Sequence, residues 1–277
     1  MFVVLTFSPP KQQGFLLKML DKLKPKSPTV TEHSALGCKY MCINHPPGGR
    51  IKWRELERIT GRWAGRIVMN KDIEVPHDCR ITRADTSEFE ERILLATACR
   101  ALNDSRCELY ERQVGLVDPT GEWQWAAVEL LKYCTTLIVY TKAPQRYQRF
   151  CGQMMEAYGA PVVITDQMRA LDGCILVVSP YQDKGQWPAC PVLTLVDAAS
   201  AFTINHLSLS PQQLGCDIPP GLEPLEFAAA LWRFGRLSEL GRLHAQACRI
   251  GGRLSDIRDC SALIYKRAVS LRSGSDT

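Results

Sequence analysis

Apolar positions change their rhythm partway along the chain. From residue 108 onward, short and continuously apolar runs alternate with helical segments. Glu108–Val117 predicts a strand, Trp123–Cys134 a helix and Thr136–Tyr140 a second strand. Gln145–Tyr158 predicts a helix closed by Gly159, a residue suited to the left-handed C′ position. Pro161–Thr165 is a third strand, Gln167–Leu171 a short helical piece, and Cys174–Val178 and Val192–Val196 two more strands. Strands that lack polar alternation and are separated by helices suit a parallel sheet covered on both faces. Right-handed crossovers then make a doubly wound α/β sheet the expected architecture.

The first third is more mixed. Phe2–Phe7 reads as a strand, Lys22–Pro28 as an exposed Lys/Pro-rich connection, and Leu36–His45 as a strand closed by Pro46-Pro47-Gly48-Gly49. Ile51–Val68 has helical periodicity, as does Ser87–Asn103, where Phe89, Ile93, Leu94 and Ala98 share one face. A further strand is expected near Phe202–Leu209, and helices over Glu226–Gly241 and Asp256–Arg267. The expected organisation is a smaller α+β domain over residues 1–105, the doubly wound domain over 106–210, and a carboxy-terminal helical segment over 211–277 that packs on them.

Composition adds exclusions more than assignments. With 277 residues, 45% hydrophobic and 23% charged, the chain can bury a substantial core and is not disordered. No run approaches the ~20 apolar residues that cross a bilayer, and Met1–Phe7 lacks the basic flank of a signal peptide. The twelve cysteines are scattered, several of them (Cys99, Cys134, Cys174) in apolar segments. Free thiols in a reducing cytoplasm are the simpler expectation.

Over residues 108–200 the element order resembles NAD(P)-binding Rossmann-like domains, in particular those of shikimate dehydrogenase and glutamyl-tRNA reductase. With first-domain features such as Trp53–Arg66, the chain also resembles an uncharacterised, and therefore bacterial, family of Firmicutes proteins. The resemblance implies a ligand over the carboxyl ends of the strands, held by the loops after the first, second and fourth of them.

The first loop departs from the pattern. In place of G-x-G-x-x-G it reads Gly115-Leu116-Val117-Asp118-Pro119-Thr120-Gly121-Glu122. Pro119 removes a backbone donor, and Asp118 and Glu122 bring negative charge where a pyrophosphate would lie. The favoured reading makes Asp118 an N-cap with Pro119 at N1. In the second loop, Thr141-Lys142-Ala143-Pro144, Lys142 with Arg146 suits the 2′-phosphate of NADP, against the simpler reading of a solvated lysine. Ser179 begins the loop after the fourth strand. The expected cofactor-side residues are thus Asp118, Thr120, Gly121, Thr141, Lys142, Arg146 and Ser179.

Other chemistry is thin. Cys38, Cys42 and His45 have metal-like composition, but in a strand the two cysteines stand ~13 Å apart, and zinc ligands must converge within ~2.3 Å of one ion. Buried cysteines are the expectation there, with no metal. The five histidines lie in no H-E-x-x-H or nucleophile-elbow context. Arg50, Arg54, Arg58, Arg62 and Arg66 recur every fourth residue, opposite Leu56, Ile59, Trp63 and Ile67. An arginine face of this kind binds nucleic acid or another anion, or is a solvated face partly neutralised by Glu55 and Glu57. The solvated reading is favoured, because no aromatic stacking partner is evident on that face.

Three functions remain in order of preference. The first is a degenerate Rossmann-like protein that binds a nucleotide or small ligand weakly or acts as a non-catalytic scaffold. The second is an NADP-dependent oxidoreductase, and the third a nucleic-acid or protein-interaction module. No catalytic residue is assigned, and the balance falls against an enzyme.

Overall fold

The computed structural model describes residues 1–7, 27–46, 50–159, 161–181, 187–197 and 202–274. The Lys22–Pro28 connection and the Pro46–Gly49 turn lie mostly outside them. The chain divides into two compact units, Met1–Phe89 with Ser210–Gly241, and Glu90–Leu209 with Arg242–Thr277.

The first unit is built on a four-stranded sheet. Its centre is β1 (Phe2–Phe7), parallel to both β3 (Cys38–His45) and β4 (Ile67–Val68), with β2 (Thr29–Ala35) antiparallel on the β3 edge. Apart from Ala35, β2 has little apolar patterning and is exposed, so hydrophobic periodicity did not announce it. Leu36, expected to begin a strand, sits instead in the hairpin turn with Gly37. Both have positive φ, 49° and 77°, as a two-residue turn of the I′ kind requires.

The long amphipathic helix expected over Ile51–Val68 is corrected by the structure. Helix α1 spans only Trp53–Thr60. Gly61, at φ 51° and ψ −120°, closes it in a conformation that essentially only glycine adopts. A 3-10 turn, Gly61–Trp63, follows, and Ile67 and Val68 then pair with Val3 and Val4. The apolar spacing that mimicked a helix arises because Leu56 and Ile67 enter one core from different elements. They meet there with Val3, Leu5, Ile43, Met69 and Ile81. Helix α6 (Pro224–Gly235) completes this unit, with Phe227 packed edge-on against Tyr40 and tilted against Phe2. The short helix α5 (Pro211–Leu214) precedes it, and α2 (Ser87–Asp104) runs from this unit into the next.

The second unit holds an eight-stranded sheet. Six strands are parallel: β5 (Gln113–Val117), β6 (Thr136–Tyr140), β7 (Val162–Thr165), β8 (Leu176–Ser179), β9 (Val192–Thr194) and β10 (Thr203–Ser208). Their spatial order is β7-β6-β5-β8-β9-β10, which counted from β5 is 3-2-1-4-5-6. The sheet is therefore Rossmann-like. Helices α3 (Gln124–Leu131) and α4 (Pro144–Tyr158) are the crossovers β5 to β6 and β6 to β7. The expected start of the first strand at Glu108 is too early, because a capping box between Glu108 and Glu111 winds Leu109–Glu111 into a 3-10 turn. The carboxy-terminal helices are present as α6 and α7 (Ile257–Gly274). Between them an unexpected hairpin, β11 (Ala247–Ile250) and β12 (Arg253–Asp256), adds antiparallel to β10.

All twelve cysteines are free, and seven of them are buried. Among the described residues no helix is long and apolar enough to cross a membrane.

Gly115 lies at the middle of β5, paired with Val177. A Cβ there would stand 2.7 Å from Val177 Cγ2 and 3.0 Å from Leu171 Cδ2. Gly115→Ala is expected to cost about 1–3 kcal/mol through overpacking. A urea midpoint equal to that of the unchanged protein would contradict so close an approach.

Candidate functional site

In a sheet of this order, the ligand crevice lies over the carboxyl ends of the strands where the order reverses, here between β5 and β8. The loop after β5 must turn sharply into α3, and a tight turn leaves backbone N–H groups that need an acceptor. In dinucleotide-binding domains a pyrophosphate oxygen is that acceptor.

Here the acceptor is part of the chain. The fully buried Asp118 turns its carboxylate back over its own loop. Oδ1 accepts the backbone N–H groups of Gly121 at 2.8 Å and Glu122 at 3.1 Å, and Oδ2 that of Trp123 at 2.7 Å. Two hydroxyls add to it, Thr120 Oγ1 at 3.3 Å and Tyr147 Oη, from α4, at 2.7 Å. The expected N-cap geometry is thereby corrected. Pro119 is not the first helical residue, since α3 begins at Gln124 with Trp123 as its N-cap. Asp118 instead caps the whole three-residue approach to the helix. Burial, and then the bond to Asp118, hold the Tyr147 phenol far above the usual tyrosine range.

The remaining cofactor-side residues are engaged in the same way. Gly121 has φ 74°, and a Cβ there would lie 2.8 Å from Arg146 Cδ, so the arginine stem rests on the glycine. The Arg146 guanidinium reaches Glu122 at 3.4 Å, and its backbone carbonyl accepts the Gln124 side-chain amide at 2.6 Å. Thr141 is buried, with Oγ1 accepting the Ala143 N–H at 3.1 Å. Lys142 has an exposed side chain, while its N–H donates to Pro119 O at 3.2 Å. Ser179, fully buried at the end of β8, donates to the Tyr181 carbonyl at 2.8 Å.

Aromatic rings pack together beside the first loop. Trp123, 1% exposed, meets Tyr181 edge-on at 6.1 Å and Trp125 at 5.4 Å. Its indole N–H donates to Glu91 at 3.1 Å, and Arg92 lies 5.1 Å over the Trp125 ring. Burial, and then the Glu91, Asp118 and Glu122 carboxylates, push the Tyr181 phenol up to about 12. Sequence reading missed Tyr147, Trp123 and Tyr181. A tyrosine near the start of α4 and a tryptophan after the loop read as ordinary core, and only the fold brings the Tyr147 hydroxyl and the Trp123 backbone N–H to Asp118.

The sequence matches no protein-family model and no curated protein. Among solved structures the chain is similar to L-tryptophan dehydrogenase from Nostoc punctiforme. The identity is 12%, over 98% of this chain and 89% of that one, with a TM-score of 0.35. It is also similar to lysine cyclodeaminase, at 14% identity over 70% of this chain and 62% of that one, with a TM-score of 0.29. At these scores the likenesses add nothing to what the strand order itself shows. The resemblance to an uncharacterised Firmicutes family gains no support.

The other expected sites lie in the first unit. Cys38, Cys42 and His45 are spread along β3. Cys42 contacts Thr6 Oγ1 at 3.6 Å, and the His45 ring bonds the Pro46 carbonyl at 3.0 Å. Among the described residues no three His, Cys, Asp or Glu side chains are grouped to hold a metal ion. The arginine row is broken by the end of α1. Arg50 precedes the helix, Arg54 and Arg58 are on it, and Arg62 and Arg66 follow it; all five are exposed.

Replacing Asp118 by Ala strands three backbone N–H groups and a buried phenol. The expected loss of stability is roughly 3 kcal/mol or more. Asp118→Asn, which keeps the shape but exchanges an acceptor for a donor, is expected to lose most of the same amount; wild-type urea midpoints for both variants would refute the assignment. Alkaline titration tests the rings. The folded pKa of Tyr181 is raised, so its contribution to stability is complete below the ordinary tyrosine value and is lost as pH climbs towards about 12. Phenolate absorbance should therefore show Tyr147 and Tyr181 ionising above the ordinary tyrosine range until the fold opens.

Proposed function

We propose that this chain is a Rossmann-like protein that has given up dinucleotide binding. It serves as a non-catalytic scaffold, with at most weak binding of a nucleotide or small ligand at its surface. One observation carries the reading: the Asp118 carboxylate occupies the backbone donors that a pyrophosphate would use. A phosphate brought to that loop would meet a buried carboxylate already holding its amides, together with the Glu122 side chain. Like charges in a poorly solvated site repel strongly. The NADP-dependent oxidoreductase reading is disfavoured on the same ground, and because Arg146 is turned to Glu122 and Gly121.

Titration of protein fluorescence with NADPH, and a thermal-shift panel of NAD, NADP, mononucleotides and small metabolites, test the reading. The expected outcome is no saturable response to either dinucleotide at millimolar concentration, and at most a small selective shift elsewhere in the panel. Saturable NADPH binding that is lost in Arg146→Ala would overturn it in favour of the oxidoreductase.

A further inference from the structure

The end of α1 at Gly61 changes what the arginine row is. Trp63 is half-buried: it packs against the core of this unit and carries arginines over its ring. The Arg62 guanidinium lies 4.7 Å and that of Arg66 5.4 Å from the ring centroid. Arg66 also lies 5.7 Å from the ring of Phe234, at the end of α6, and Arg233 lies 6.0 Å from that same ring. Four planar groups therefore succeed one another, Arg62, Trp63, Arg66 and Phe234, with Arg233 beside the last.

Among the described residues most of the charge on this strip has no carboxylate partner. Among the described residues, Arg233 alone of these arginines has a carboxylate partner, Asp85 at 3.2 Å. Glu55 pairs with Lys52 at 3.9 Å, and Glu57 accepts the backbone N–H of Arg80. The two acids that could have neutralised the row are thus turned elsewhere. Arg54, Arg58, Arg62 and Arg66 have no carboxylate partner among the described residues. Two guanidiniums held against one indole repel each other, and an anion between or beside them relieves that repulsion. Stacking uses the guanidinium face and leaves its edge, with the N–H fork, for a phosphate. Side chains already ordered by stacking also lose less freedom when a ligand arrives.

We propose that the Arg62–Trp63–Arg66–Phe234 strip is a binding surface for single-stranded nucleic acid. The guanidinium edges contact backbone phosphates, and unstacked bases lie against the outward faces of the guanidiniums that cover Trp63 and Phe234. A duplex offers no unstacked base, so the alternation of flat groups favours a single strand over a double one. This surface belongs to the first unit and stands independently of the reading of the Rossmann-like sheet.

Fluorescence anisotropy of labelled oligo(dT) and oligo(rU) with the full chain tests the proposal, each compared with a duplex of the same length. The expected result is single-strand binding that weakens as salt rises. In Arg62→Ala/Arg66→Ala, affinity should fall by roughly tenfold or more, and the slope against log salt by about 1.4, given ~0.7 for each phosphate no longer neutralised. Both side chains are exposed, so an unchanged urea midpoint is expected to show that the variant folds. Arg253→Ala/Arg258→Ala, which removes the same charge from exposed positions of the other unit, should bind as the unchanged protein does. Three results would each overturn the proposal: no single-strand binding at low salt, equal losses in the two double variants, or a duplex bound as tightly as the single strand.

Discussion

The buried carboxylate of Asp118 holds together the region on which any functional reading of the larger unit depends. A turn from strand to helix at this place in a Rossmann-like sheet exposes consecutive backbone donors, and leaving them unmade in a water-poor crevice would cost several kcal/mol. One side chain meets that requirement by accepting from Gly121, Glu122 and Trp123 together. Tyr147 then ties the same carboxylate to α4, so the first two crossover helices share one polar anchor. A site that is normally completed by a ligand is here completed by the fold.

The same economy extends over the rest of the crest. Thr141 and Ser179 turn their hydroxyls onto the backbone of their own loops, and Arg146 lies along Gly121 towards Glu122. Trp123 and Tyr181, from the loops after β5 and β8, meet edge-on. Polar groups satisfied internally are poor recruits for a ligand, since each must first give up a partner. The arginines of the smaller unit are in the opposite condition. Arg62 and Arg66 lie over the Trp63 ring, yet they have no carboxylate partner among the described residues. Unmet electrostatic demand is a better guide to a binding surface than the presence of a fold that usually binds something.

Much of the larger unit was legible in the sequence because its central strands are buried on both faces. Burial of that kind writes itself as unbroken runs such as Thr-Leu-Ile-Val-Tyr at 136–140 and Leu-Val-Val at 176–178. The departure at Asp118-Pro119 was equally visible, since missing glycines are a local property. Edge strands were harder to see. β2 and β12 are largely exposed and carry little apolar patterning, so hydrophobic periodicity had nothing to report.

The sequence by itself determined the order of strands and helices over residues 113–208, the doubly wound architecture, and the absence of a glycine fingerprint from the first loop. These follow from local composition and from the handedness of crossovers. Only the tertiary structure decided what Asp118 does and where the arginine row leads. Asp118 reads equally as a helix cap or as a repellent charge until α4 brings Tyr147 within 2.7 Å of it. The spacing of Trp63 and Ile67 reads as one helical face until β1 draws Ile67 and Val68 into the sheet, while Trp63 packs on the same core with two guanidiniums over its ring. In both cases the deciding partner is distant in sequence, and periodicity carries no information about distant partners.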